Sequence, residues 1–298
     1  MSAQPIARRV EHQQTDKGYV PVYTTAVVEQ PWDTYSADDH ATWGTLYRRQ
    51  RELLVGRACE EFLRAQDEMG MGDHQIPRFD QLNEVLGAAT GWTLVGVEGL
   101  LPELDFFDHL AHRRFPVTWW IRRPDQIDYI AEPDLFHDLF GHVPLLMNPV
   151  FADYMEAYGR GGVKAHGIGP EALQNLTRLY WYTVEFGLID TPDGLRIYGA
   201  GIVSSKGESL HSLESAAPNR IGFDLARIMQ TRYRIDTFQK TYFVIDSFDQ
   251  LMQATAPDFT PLYAQLRQAP QHAAGSVLDS DRVHQRGTGE GWATDGDV

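Results

Sequence analysis

Cysteine is almost missing from this chain. Cys59 is the only one among 298 residues, which excludes an intramolecular disulfide and any zinc site built from thiolates. Long apolar runs are missing too. No stretch approaches the roughly 18 apolar residues of a transmembrane helix, and the first residues show no apolar signal-peptide core. Both absences set the cytoplasm as the expected compartment. Basic charge is in deficit: 26 Lys and Arg face 41 Asp and Glu, a formal charge of −15. That balance argues against a nucleic-acid or anionic-membrane partner. No internal repeat is visible. Gly159 to Gly169 holds five glycines, but a phosphate loop would need a preceding strand and a Gly-Lys-Ser/Thr, and neither is there.

What the chain does have is a 43% hydrophobic composition, that of a globular protein with a sizeable core. Its densest chemistry lies in Glu132-Pro-Asp-Leu-Phe-His-Asp-Leu-Phe-Gly-His-Val-Pro144. Two histidines and three carboxylates sit there among aromatic and aliphatic residues. Buried imidazoles and carboxylates need partners, and a metal ion supplies one. Two core histidines bonded to backbone are the alternative. In an α-helix, residues five apart lie roughly 140° apart around the axis. His137 and His142 therefore converge only if the helix ends or distorts between them. Gly141 in a left-handed turn, with Pro144 just beyond, offers an ending, placing His137 on the helix and His142 on its exit.

A third ligand candidate is Glu185. Residues 171–189 read as an amphipathic helix through Leu173, Leu176, Tyr180 and Val184. Glu185 falls in the last turn, among apolar neighbours and at the unfavourable end of the helix dipole. A cation offsets both costs. Two histidines and one carboxylate leave coordination positions open, as in non-haem Fe(II) oxygenases. Zinc hydrolases use the same three ligand types, so the set alone does not choose the metal. His109 and His112 also form a pair, but no third ligand accompanies them.

Three blocks then stand in order: Glu132 to Leu145, Tyr180-Trp-Tyr-Thr-Val-Glu-Phe-Gly-Leu188, and Tyr198-Gly-Ala-Gly-Ile-Val-Ser-Ser205. Together, from about residue 35 to about 265, the chain resembles the catalytic domain of the pterin-dependent aromatic amino acid hydroxylases. The resemblance implies a mostly α fold with small antiparallel β ribbons. It also implies Fe(II) on His137, His142 and Glu185, and a tetrahydropterin near Gly99, Leu101, Phe106, Asp138 and Tyr180. L-Phenylalanine would lie near Arg122, Tyr129, Pro133, Asp134, Trp181, Gly201 and Ser204, and with O2 would give L-tyrosine, the first step of phenylalanine catabolism. Arg122 would take the substrate carboxylate, held by Asp134, and Ser204 would steady a metal histidine. Ile130 departs from the threonine of animal members. Tryptophan or tyrosine as substrate stays open, as do a zinc-dependent hydrolase with Asp138 as base and a metal-stabilised binding domain.

The same comparison suggests one catalytic domain, residues 19–269, acting as a monomer. Residues 1–18 are polar and expected to be mobile. Residues 270–298, rich in Gly and Asp, are expected to form a loosely ordered tail. Ser36 caps a helix running to about Gln66 with a bend at Gly56. Shorter helices follow at 80–89, after Pro102, at 150–158, 223–229, 247–255 and 259–268. Strands are expected near 92–95, 115–122, 195–198 and 241–245.

Overall fold

The computed structural model describes residues 13–15, 18–20, 26–128, 130 and 132–292. Tyr129 and most of the expected mobile start therefore lie outside the described residues. Within that start, β1 (Gln13–Thr15) pairs antiparallel with β2 (Gly18–Val20). A short β3 (Val27–Val28) leads to α1 (Ala37–Leu54), whose first turn is closed reciprocally. The Ser36 side chain accepts the Asp39 N–H and the Asp39 carboxylate accepts the Ser36 N–H. The single helix expected to residue 66 is two. At Gly56 φ is +72°, the Cys59 N–H leaves the helical ladder for the Ile197 carbonyl, and α2 (Glu60–Glu68) starts afresh.

α3 (Phe79–Ala89), β4 (Thr93–Val97), α4 (Glu103–Ala111) and β5 (Arg114–Thr118) follow. β4 and β5 are parallel, with α4 as the crossover, and β3 adds antiparallel to β4. The next helix, α5 (Pro149–Ile168), is far longer than its expected nine residues. Asn148 caps its first turn through the Val150 and Phe151 N–H groups, and Gly169 at φ +139° ends it. The glycines between are helical, not a loop. Gly159 and Gly162 lie against α4: a Cβ on Gly162 would come within 2.1 Å of the Phe107 ring. Their missing side chains let the two helices touch.

α6 (Pro170–Tyr180) runs into the strand pair β6 (Leu188–Thr191) and β7 (Gly194–Ile197). Then come α7 (Ala200–Val203), α8 (Lys206–Glu214), β8 (Asn219–Gly222), α9 (Leu225–Met229), β9 (Thr241–Ile245), α10 (Phe248–Thr255), α11 (Thr260–Leu266) and β10 (Val283–Gln285). The second sheet is ordered β10-β8-β9-β6-β7, with β8–β9 and β9–β6 parallel. The fold is mostly α with small sheets, as the resemblance implied, but the sheets are mixed rather than antiparallel. The core is continuous from α1 to α11. Trp43, Tyr47, Phe62, Phe136 and Phe140 form its aromatic centre, with Phe136 and Phe140 stacked at 4.7 Å.

The tail also differs from expectation. Residues 270–292 do not hang loose: β10 extends the sheet beside β8. The Gly287 N–H donates to Asn219 Oδ1 at 2.8 Å, and the Trp292 ring fills the space a Cβ on Gly275 would need. Among the described residues no helix is long and apolar enough to cross a membrane.

Candidate metal centre and its cleft

The backbone around the two histidines solves the spacing problem in a way the sequence did not suggest. Residues His137–His142 form a π-helix. Its i→i+5 hydrogen bonding brings residues five apart onto one face, so both imidazoles point the same way. His142 is inside the distorted turn, not on an exit from it, and Gly141 is not left-handed. Gly141 is small because α7 presses there: a Cβ would lie 2.9 Å from the Ala200 carbonyl oxygen. Glu185 is carried by a second π-helix, Trp181–Glu185, which continues α6.

The three side chains meet. His137 Nε2 is 3.1 Å from His142 Nε2. Glu185 Oε1 is 3.2 Å from His142 Nε2 and its Oε2 3.7 Å from His137 Nε2. Two donors bound to one ion at right angles, each about 2.1 Å away, stand about 3.0 Å apart. The spacing therefore fits a shared metal. The His137 tautomer fits as well. Ser204 Oγ donates to the Ala200 carbonyl at 2.7 Å and faces His137 Nδ1 at 3.0 Å. With its proton committed, that hydroxyl accepts from Nδ1–H, leaving the Nε2 lone pair free for an ion. Burial holds the His137 pKa down to about 4, against the opposing pull of Glu185, so the ring is neutral, as a ligand must be. Burial pushes the Glu185 carboxyl up, but His142 and His137 outweigh it and its pKa ends below the ordinary value. The Gly201 N–H supports the carboxylate, and a Cβ there would sit 3.2 Å from Oε2.

Asp138 belongs to a different role. A ligand atom of its carboxylate lies within 4.8 Å of the histidine nitrogens, yet Oδ2 is taken by the Thr118 N–H at 2.7 Å. Burial pushes this carboxyl up to about 7. Glu185, with both oxygens turned to both Nε2 atoms, is the better third donor. His109 and His112 form no such centre: Arg114 Nε donates to His109 Nδ1, and His112 Nδ1 faces the Asp108 carbonyl.

A cavity of about 870 Å³ opens from His137 and Glu185. Arg122, Pro133, Trp181, Gly201 and Ser204 line it, as the sequence proposed for a substrate pocket, and so does Ile130. Arg122 grips the fully buried Asp134 with two bonds, Nε to Oδ2 at 2.9 Å and Nη2 to Oδ1 at 2.8 Å. The Asp134 carboxylate also accepts the backbone N–H groups of Arg122 and His137, tying the arginine to the first histidine. The residues expected to hold a pterin do not themselves line this cavity. Phe106 meets Tyr180 edge-on at 5.8 Å, and Tyr180 stacks over His142 at 6.2 Å. Leu101 is buried and Gly99 partly so beside them in sequence, on the loop into α4. The outer wall comes from residues 235–240 and from Glu290 to Trp292; the family resemblance points to Ile235 alone among them, as an apolar residue near the substrate, and no local pattern marks the rest.

The comparisons with known proteins agree with this geometry. Residues 10–265 match the family model of the biopterin-dependent aromatic amino acid hydroxylases. A phenylalanine-4-hydroxylase of Ralstonia nicotianae is 66% identical over 271 residues, 91% of this chain and 86% of that protein. Among solved structures, the iron- and phenylalanine-bound phenylalanine hydroxylase of Chromobacterium violaceum superposes with a TM-score of 0.82. It is 64% identical, over 86% of this chain and 93% of that one. The same enzyme with iron(III) and 7,8-dihydrobiopterin gives a TM-score of 0.83 at 64% identity, over 87% and 93%. The chain belongs to the biopterin-dependent aromatic amino acid hydroxylase family.

Proposed function

We infer that this chain is a phenylalanine 4-monooxygenase: it hydroxylates L-phenylalanine to L-tyrosine with O2 and a tetrahydropterin at a non-haem iron site. The observation that carries the reading is the convergence of His137, His142 and Glu185 at the inner end of a cavity that also holds Arg122. The donor set alone admits zinc. The iron-bound, phenylalanine-bound and biopterin-bound states of a 64% identical enzyme favour iron and this substrate over a hydrolase and over tryptophan or tyrosine. Bound iron together with the reduced pterin supplies the oxygen activation.

The protein's own part is to hold and orient. His137, His142 and Glu185 hold the ion, and Ser204 keeps His137 in the ligand tautomer. Arg122, immobilised by Asp134, takes the substrate carboxylate through the edge that lines the cavity. Trp181, Pro133 and Gly201 wall the ring, with Tyr129 nearby in sequence. Phe106 and Tyr180 offer aromatic faces to a flat heterocycle, with Gly99 and Leu101 on the adjoining loop and Asp138 next to the metal. Apolar side chains of the wall, Trp181 and Phe186 among them, would keep water from the substrate ring. This reading assigns the catalysis to one domain, residues 19–269 together with the packed segment 270–292, working as a cytoplasmic monomer.

Tyrosine formation from phenylalanine with Fe(II), a tetrahydropterin and air, each omitted in turn, tests it. Product that requires all three is the expected result; no product from iron-loaded protein overturns it. For Arg122, lysine is the informative substitution. Alanine would leave the buried Asp134 charge unpaired, at about 3–5 kcal/mol. Arg122→Lys raises the phenylalanine KM at least tenfold with iron content unchanged. An unchanged KM removes Arg122 from the carboxylate role.

A further inference from the structure

Trp181, which walls the substrate ring in the reading above, is itself held from behind. Its indole stacks on Tyr233, with centroids 4.3 Å apart and planes at 18°, and leans on Phe186 at 4.6 Å. Its N–H donates to Gln239 Oε1 at 2.9 Å. Gln239 comes from the loop just before β9 and is only 3% exposed. Its carboxamide orientation is fixed by its partners. An indole N–H can only donate and a carbonyl only accept, so Oε1 faces Trp181 and Nε2 faces the Arg234 carbonyl at 3.0 Å. The Gln239 backbone N–H donates to Glu208 Oε1 at 3.1 Å, and Glu208 lies on α8, 6% exposed, where Tyr242 OH also reaches it.

One residue thus joins three parts of the cavity: its side chain links the π-helix that ends in Glu185 to the loop of residues 234–238, and its backbone N–H reaches helix α8 following Ser204. That loop holds Ile235 and Phe238, 72% and 51% exposed, at the cavity's outer wall. Without Oε1, the indole N–H on the cavity wall would have no protein partner, and the ring would lose the bond that fixes its rotation between Tyr233 and Phe186.

We propose that Gln239 is a positioning residue for the hydroxylation, setting the plane of Trp181 against the substrate ring and tethering the 234–238 loop to that plane. The assignment rests on the functional reading above. Its consequence is geometric: aromatic partners favour specific offsets and tilts, and small displacements from a reactive geometry cost rate steeply. With Trp181 free to turn, phenylalanine binds less well and more pterin is oxidised for each tyrosine formed.

The test uses the iron-loaded enzyme, Gln239→Leu, Trp181→Phe and the double variant. Phenylalanine affinity is measured by calorimetry without oxygen or pterin; tyrosine formed per pterin oxidised and the KM for each substrate are measured in turnover. Gln239→Leu weakens phenylalanine binding about fivefold, the value of one lost hydrogen bond. It lowers tyrosine per pterin to less than about half and leaves the pterin KM within about twofold. In the Trp181→Phe background, where no N–H remains, the same substitution changes phenylalanine affinity less than about twofold. Parental affinity and coupling in folded Gln239→Leu overturn the proposal, and so does an equal effect in both backgrounds. Should Gln239→Leu not fold, Trp181→Phe removes the same bond from the other end, and parental coupling there is equally fatal. A parent enzyme that makes no tyrosine refutes the functional reading, and this assignment with it. A productive parent with unchanged variants refutes this assignment alone.

Discussion

Glu208 lines the cavity, and among the described residues no cation forms an ion pair with it. Its partners are the Gln239 N–H and the Tyr242 hydroxyl. Burial raises its pKa to about 7, with both hydrogen bonds pulling the other way. Below about pH 4.5 the carboxyl is protonated both folded and unfolded, and it carries no penalty. Between about 4.5 and 7 the unfolded chain gives up the proton and the folded one keeps it, so stability falls as pH rises. Above 7 the full cost stands, on the order of 3 kcal/mol. Glu208→Gln keeps an acceptor oxygen and removes the charge. Its melting temperature should exceed the parent's by several degrees at pH 8 and match it near pH 4.5; an equal difference at both pH values would refute the buried neutral carboxyl. At this scale the sequence was informative about residues whose type is itself rare in a core. His137, His142 and Glu185 stood out because apolar neighbours surrounded them. Glu208 and Gln239 did not, because their role comes from partners far along the chain, 58 residues away for Gln239 and Trp181.

Most helix positions and four of the strands, β4, β5, β7 and β9, followed from periodicity and caps, as at Ser36. The π-helices did not: one extra residue in a turn leaves no compositional mark, and the helical period around His137 reads the same until the hydrogen bonds are known. The glycines of α5 misled for a related reason. They look like a loop, but each is decided by what stands opposite it. Gly161 has nothing within 4 Å, whereas a Cβ on Gly162 meets the Phe107 ring at 2.1 Å. Two neighbouring substitutions should therefore differ in sign. Gly161→Ala gains helix propensity and stabilises by up to about 1 kcal/mol. Gly162→Ala gains the same propensity but overpacks the α4 contact and loses roughly 1–3 kcal/mol. Because α4 also carries Phe106, Gly162→Ala should raise the pterin KM while leaving anaerobic phenylalanine affinity unchanged. Thermal melts and the two titrations check both halves. Equal stability effects at the two glycines would mean that the helices can part freely.

Across the whole molecule, composition was a poor guide to the tail, because order there is supplied by the surface it lies on. Residues 270–292 have too few apolar side chains to fold alone, but the β8 edge offers unpaired backbone groups and β10 takes them. One buried ion pair fixes the seam, beside the more exposed pair of Arg282 with Asp246. Arg227 and Asp281 are each about 5% exposed, bonded Nε to Oδ1 at 3.1 Å, and Arg227 also donates to the Ser276 carbonyl. A chain ending at Ala269 removes the Asp281 and Ser276 partners of this arginine, leaving it Thr231, and re-exposes a strand edge, at about 3–5 kcal/mol. For a protein of this size that loss corresponds to a fall of roughly 5–8 °C in melting temperature. Asp281→Ala removes only the carboxylate and should recover part of the same fall with β10 still in place. The truncation alone should also raise the phenylalanine KM, since Glu290 to Trp292 form part of the cavity wall. A truncated chain that melts within about 2 °C of the parent and binds phenylalanine equally well would return these residues to a dispensable tail.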